Sequence, residues 1–219
     1  MSALIVIAKA PVPGRSKTRL CPPCTPEQAA QLAGAALGDT LAAVAGAGAT
    51  RRVLALEGEP GDWLPAGFEV IPQRGRGLEQ RLAAAFEDCG GTAFLVAMDT
   101  PQLTPVLLDA ALARLEAPGT GAVLGATRDG GYWGIGLCRP DRTVFAGVPM
   151  SSLGTHAAQR ERLAALGLRT AALPVLTDVD TIAAARAVAR LAPRTRFAAR
   201  LRESGHAADD RQPVAEATA

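Results

Sequence analysis

The chain alternates short, almost wholly apolar runs with longer segments in which apolar residues recur at helical spacing, the pattern of strands that feed helices. Residues 4 to 8 form a β-branched apolar run closed by Pro11, Pro13 and Gly14, which predicts a buried strand and then a loop. Thr25, Pro26 and Gln28 supply an N-cap, a first-turn proline and a capping-box partner, so a helix is expected from there to about residue 44. Residues 52 to 56 and 68 to 72 read as strands around a Gly/Pro-rich turn at Trp63. Residues 77 to 88 carry Leu78, Leu82, Ala85 and Phe86 at helical spacing. A second apolar strand, residues 93 to 98, runs straight into Asp99, and Thr104-Pro105 opens a helix to about residue 115. Strands are expected at 121 to 126, at 132 to 138 after the Gly130-Gly131 turn, and at 168 to 173. Helices are expected at 152 to 166 and at 181 to 191, the last capped by Asp180.

Strands alternating with helices imply an α/β fold with three layers and a mostly parallel central sheet. One domain is expected over residues 1 to 195, followed by a polar, flexible tail over 196 to 219, most clearly from Ser204. The length of 219 residues and 48% hydrophobic content suit a single domain with a substantial core, which excludes wholesale disorder. No segment offers the uninterrupted apolar stretch of a membrane span, and the first apolar run lacks the leading basic residues of a secretory signal, so the chain reads as cytoplasmic. Cys21, Cys24, Cys89 and Cys138 are expected to be free thiols. A net charge of +2 and 4% aromatic residues give neither the basic stripe nor the stacking platform of a nucleic-acid binder.

Arginine is spread along the whole chain, whereas lysine occurs only at Lys9 and Lys17, inside one loop-like segment. Codon bias is one explanation. The other is that a compact charge on a flexible stem is needed at that place, as at phosphate groups. The segment from Lys9 to Leu20 packs Lys9, Arg15, Lys17 and Arg19 together, with prolines that stiffen it and Gly14 that permits a close backbone approach. Such a loop suits a polyphosphate, although it lacks the spacing of a Walker loop. A solvated surface turn is the plainer alternative.

Residues that follow strands matter most, because open α/β sheets bind ligands beyond the carboxyl ends of their strands. Asp99 stands at the mouth of an apolar strand, where a carboxylate must be paired, solvated or bound to a cation. With phosphates nearby, Mg²⁺ or Mn²⁺ is the economical expectation. The late pair Asp178 and Asp180 is either a helix cap or the completion of that metal site. Asp129, Gly130, Gly131, Tyr132 and Trp133 form a third place, where two glycines admit a ligand and two aromatic faces suit a base or a sugar. A tight turn leading two aromatics into the core explains the same residues. Cys21 and Cys24 have no second pair at zinc-ligand spacing, and neither His156 nor His206 has a nucleophile context.

The segments at 8 to 20, 98 to 103, 129 to 137 and 178 to 181 together resemble the bacterial glycosyltransferase-like family of the GT-A nucleotide-diphospho-sugar transferase superfamily. The first segment also resembles the opening of 2-phospholactate guanylyltransferases. The resemblance implies a Rossmann-like GT-A fold and a cytoplasmic transferase with a nucleotide or nucleotide-sugar donor and a small-molecule acceptor. It implies nucleotide contacts from Ala8, Lys9, Pro13, Gly14, Arg15, Lys17 and Arg19, and a divalent metal at Asp99 and Asp180. Asp99, Asp129 and Lys17 carry the expected catalytic roles, Asp129 as the base, and Gly130, Gly131, Tyr132 and Trp133 hold the acceptor. Three readings remain open: transfer of a sugar, transfer of a nucleotidyl group with release of pyrophosphate, and nucleotide binding without catalysis.

Overall fold

The computed structural model describes residues 2–207. The chain runs β1 (Ser2–Lys9), α1 (Pro26–Gly46), β2 (Arg51–Glu57), β3 (Glu69–Pro72), α2 (Leu78–Cys89), β4 (Thr92–Ala97) and α3 (Pro105–Glu116). It continues through β5 (Ala122–Thr127), β6 (Tyr132–Leu137), α4 (Thr155–Ala165), β7 (Thr170–Leu176), α5 (Ile182–Leu191) and α6 (Arg196–Glu203). The strands form one seven-stranded sheet in the order β3-β2-β1-β4-β6-β5-β7. Only β6 runs against its neighbours β4 and β5, so the sheet is mostly parallel, as the alternation of elements predicts. No helix among the described residues is long and apolar enough to cross a membrane.

The two faces of β1 explain its unbroken apolar run. Leu4, Val6 and Ala8 face the core shared with α1 and α3, whereas Ala3, Ile5 and Ile7 face the core beneath α2. A central parallel strand is covered on both sides, so period-two alternation is not required of it. The chain departs from β1 toward β2 on one side and returns as β4 on the other. That reversal opens a crevice at the carboxyl ends of β1 and β4.

Helix ends follow their caps. Thr25 and Gln28 close a reciprocal capping box on α1, and the Thr104 hydroxyl accepts from the Leu107 amide at 3.2 Å to start α3. Thr181, not the expected Asp180, caps α5 by accepting from the Ala184 amide, which leaves the Asp180 carboxylate available elsewhere. Two boundaries also move. Residues 167–169 close α4, with Leu168 N–H on the Leu163 carbonyl, so the strand expected at 168 begins at Thr170. At the other end of α4, Ser151 has φ 56 and the helix starts only at Thr155.

The expected tail needs a larger correction. Residues 196–203 are α6, with Phe197, Ala198 and Leu201 buried against α1 and α5 in a third core that also holds Leu20 and Val179. Asp39 on α1 accepts from the amides of Arg196 at 3.0 Å and Phe197 at 2.9 Å, tying down the first turn of α6. A short arginine-rich helix becomes stable once its apolar stripe is buried. The remainder of the expected tail, residues 208–219, lies outside the described residues. Phe197→Ala is expected to cost about 3–5 kcal/mol in chemical denaturation, the range for deleting a buried aromatic side chain; a flexible tail would leave the midpoint unchanged.

Candidate active site

The loop after β1 is shaped by its own hydrogen bonds. Ser16 is buried, donates its hydroxyl to the Ala10 carbonyl at 3.1 Å and accepts from the Val12 amide at 3.1 Å. The amides of Arg15 and Ser16 both reach the Val12 carbonyl. This closed loop delivers Lys17 in a left-handed conformation, φ 50 and ψ 39, at the start of a 3₁₀ turn over Thr18–Leu20. A non-glycine residue held there is locally strained, and such strain persists where the surroundings over-determine it. In this case the surroundings are two carboxylates.

The Lys17 ammonium lies 2.9 Å from Asp99 Oδ2 and 2.8 Å from Asp180 Oδ1, and Arg19 reaches Asp180 Oδ2 at 2.9 Å. Asp99 follows β4 and Asp180 follows β7, 81 residues later in sequence. Two hydrogen bonds zip these segments together: Val179 N–H to the Asp99 carbonyl at 2.9 Å, and the Gln102 side-chain amide to the Thr177 carbonyl at 2.5 Å. Val179 is buried in the third core and anchors the crossing segment. Asp178 completes a trio in which one carboxylate oxygen from each of Asp99, Asp178 and Asp180 lies within 4.8 Å of the others. Burial alone would lower the Lys17 pKa, but Asp99 and Asp180 outweigh it and hold the ammonium above its ordinary value. Burial likewise opposes ionisation of Asp180, yet Lys17 and Arg19 keep it below the usual carboxylate range.

The crevice has two compartments that meet at Asp99, Asp180 and Arg19. The first, about 580 Å³, is walled by Lys9, Arg15, Lys17, Arg19, Arg76 and Arg81. Lys9 pairs with Glu57 at 3.3 Å, and Arg81 also pairs with Glu57. Among the described residues, the Arg15 and Arg76 guanidinium groups have no acidic partner. Arg76 comes from the loop after β3, which Gln73 pins by donating to the carbonyls of Ala8 at 2.7 Å and Ala55 at 3.0 Å. Pro13 and Gly14 do not line this compartment. Gly14, at φ 73, instead turns the loop.

The second compartment, about 520 Å³, is lined by Asp129, Gly131, Tyr132, Ser151 and Asp178 among others. Asp129 organises its turn by accepting from the Gly131 amide at 3.0 Å and the Thr127 hydroxyl. The two aromatics diverge. Trp133 is 1% exposed, meets Phe94 edge-on with centroids 5.6 Å apart, and donates its indole N–H to the Pro174 carbonyl at 2.9 Å. It is a core residue, and the flat face expected to meet an acceptor is covered. Tyr132 stays at the wall, its hydroxyl 3.4 Å from Gln159 Oε1. Gly130 also serves packing. At φ 90, any Cβ there would stand 2.0 Å from the Leu153 carbonyl oxygen, so glycine admits the chain's own 150–154 loop.

A family model described as "uncharacterized protein conserved in bacteria (DUF2064)" matches residues 29–152. The chain belongs to this DUF2064 family. No curated protein matches it. Among solved structures, a protein from Desulfovibrio desulfuricans G20 named as a nucleotide-diphospho-sugar transferase superimposes with a TM-score of 0.82. It is 26% identical, with 93% of this chain and 95% of that chain covered. A nucleotidyl transferase from Methanothermobacter gives 0.58 at 14% identity, covering 91% and 98%. The CMP:2-keto-3-deoxy-manno-octonic acid synthetase complexed with CTP gives 0.56 at 14% identity, covering 88% and 98%. The DUF2064 chain therefore has the Rossmann-like fold of nucleotide-diphospho-sugar transferases and is an enzyme of the transferase class.

Sequence reasoning left Arg76 out of this DUF2064 site and did not decide between Asp178 and Asp180. The sequence reading gave the α5 cap to Asp180, and only the structure shows that Thr181 takes it and leaves the Asp180 carboxylate to the site. For Arg76, an arginine in a Gly-flanked loop among 23 cationic residues gave no signal. The trio is a set of hard oxygen donors without His or Cys, which fits Mg²⁺ or Mn²⁺ rather than zinc. Beside it, the buried Thr100 hydroxyl has no hydrogen-bond partner among the described residues.

Asp178 supplies a test of this fit. Burial, and after it the charges of Asp99, Asp129 and Asp180, push its carboxyl up to about 6. A raised carboxyl pKa favours the folded state while the group is protonated. That contribution is complete below the ordinary value of 3.8 and is lost as pH rises through about 6. A dication competes with the same proton. Magnesium should therefore raise the melting temperature more at about pH 7.5 than at about pH 5. Asp178→Asn should stabilise the metal-free protein near neutrality by about 1–2 kcal/mol and flatten the pH dependence of the magnesium effect, as read by scanning calorimetry.

Proposed function

We propose that this DUF2064 protein is a metal-dependent glycosyltransferase-like enzyme that uses a nucleotide-diphospho-sugar donor. The observation that carries the reading is the presence of Arg15 and Arg76, without an acidic partner among the described residues, beside a carboxylate trio at the β1/β4 crevice. A diphosphate needs cationic donors on its free oxygens, and planar guanidinium groups match that geometry. The likeness to the Desulfovibrio protein supports the sugar donor.

In this reading Arg15 and Arg76 bind the donor diphosphate, and Asp99, Asp178 and Asp180 hold a dication beside it. A dication held by these carboxylates would supply charge neutralisation for the departing nucleoside diphosphate. Lys17, whose ammonium pairs with Asp99 and Asp180, lines the same basic compartment and would meet the phosphates if those carboxylates were taken up by a dication. Asp129, across the second compartment, takes the proton of the acceptor hydroxyl. The acceptor oxygen forms its bond to the anomeric carbon, while the bond from that carbon to the diphosphate oxygen breaks and its electron pair leaves with the nucleotide. Tyr132 walls the acceptor side, and Lys9 and Arg19 add positive potential at the rim.

Incubation of the protein with magnesium and panels of nucleotide sugars and nucleoside triphosphates tests the donor class. Release of nucleoside diphosphate from a nucleotide sugar supports sugar transfer, whereas pyrophosphate release from a triphosphate supports nucleotidyl transfer instead. Neither product, with tight nucleotide binding, leaves a binding protein without catalysis.

Two variants probe the assigned roles. Lys17→Met should bind manganese alone several-fold more tightly, because the carboxylates lose a competing ammonium, and bind nucleoside diphosphate about tenfold more weakly, consistent with the loss of one charged hydrogen bond. Electron spin resonance titration and calorimetry read the two effects separately. Asp99→Asn should leave metal-free nucleotide binding intact and abolish its enhancement by magnesium, measured as the ligand-induced shift in melting temperature.

A further inference from the structure

The two compartments of the crevice carry opposite charge. Lys9, Arg15, Lys17, Arg19, Arg76 and Arg81 line the first, against Asp99 and Asp180. The second has Asp99, Asp129, Asp178 and Asp180, with Arg19 as its only cation among the described lining residues. Lys17 and Arg19 already pair with Asp99 and Asp180, which leaves Asp129 and Asp178 without a cationic partner among the described residues and makes the rest of the second compartment acidic. An ionised carboxylate accepts hydrogen bonds and donates none. A phosphate or carboxylate on the incoming molecule would bring further acceptors and a like charge into a partly buried space, where repulsion is strong.

We propose that the acceptor is a hydroxyl- or amine-bearing molecule that carries no phosphate or carboxylate group, a neutral or amino-substituted polyol such as a sugar. The inference rests on the donor reading above, which assigns the basic compartment to the diphosphate and leaves the acidic one to the second substrate. The walls agree with that chemistry. Tyr132, Met150 and Leu82 give apolar surface for the carbon side of a ring, and Asp129 and Asp178 line the same cavity with acceptors for hydroxyl or ammonium protons. Ser151, which makes no side-chain hydrogen bond to a described residue, adds a group able to donate or accept. The 2-phospholactate-type acceptor of the guanylyltransferase resemblance, which bears both phosphate and carboxylate, is the opposite of what this compartment fits.

Tyr132 is the only tyrosine of the chain and lies in the acidic compartment, so incorporating 3-fluorotyrosine places a single fluorine reporter there. Glucosamine, glucose and glucose 6-phosphate are titrated into the labelled full-length protein with magnesium. Glucosamine and glucose should move the fluorine resonance, and glucose 6-phosphate should require a concentration at least about tenfold higher, given the like-charge penalty. Asp129→Asn keeps an oxygen for the Gly131 amide and removes the charge, so it should weaken glucosamine several-fold and narrow the discrimination against the phosphate. A response to glucose 6-phosphate equal to or stronger than that to glucose, or no response to any of the three, overturns the proposal. Binding of uridine and guanosine diphosphates is measured independently by calorimetry. Its absence counts against the donor reading and leaves the fluorine result standing.

Discussion

The bridge from the Lys17 ammonium to Asp99 and Asp180 is the constraint on which the site depends. Three carboxylates converge at the carboxyl ends of the sheet, and bringing them together without a cation would be strongly unfavourable. Lys17 supplies that cation from a loop held in shape by buried Ser16, and its backbone adopts a left-handed conformation to do so. The same bridge ties the segment after β1 to those after β4 and β7. Because it is an ion pair rather than apolar packing, its strength depends on the charges of the groups that form it.

The division of the crevice into a basic and an acidic half follows from topology. Parallel β1 and β4 bring cation-rich and acidic loops to one edge, while the reversed β6 places the Asp129 turn beside them. A register shift near the end of β5 precedes that turn, the kind of irregularity that re-aims a chain at a site. The segment from Thr177 to Asp180 then crosses back to Asp99, with Val179 locked in the core formed by α1, α5 and α6. The acid trio thus depends on a helix pair that touches neither compartment directly. α6 is in this sense part of the site's foundation, since its apolar stripe completes the core that holds Val179.

Much of this protein was written locally. The apolar run of β1 and the capping groups Thr25, Gln28 and Thr104 determine their elements, because burial on both faces and satisfaction of orphan amides are properties of a few neighbouring residues. The concentration of lysine at Lys9 and Lys17 likewise marked the loop where charge matters, and Asp99 stood out for following an apolar strand. What tertiary structure alone decided were relations between distant segments. The sequence left Gly130 and Trp133 equally consistent with a ligand wall and with packing; the approach of the 150–154 loop and the edge contact with Phe94 turned both toward packing. It left residues 196–203 reading as a polar tail, because an eight-residue helix with three arginines is stable only against the stripe that α1 offers. It also gave no sign that Lys17 bridges two carboxylates, since these lie 82 and 163 residues away and no local rule brings them within 3 Å.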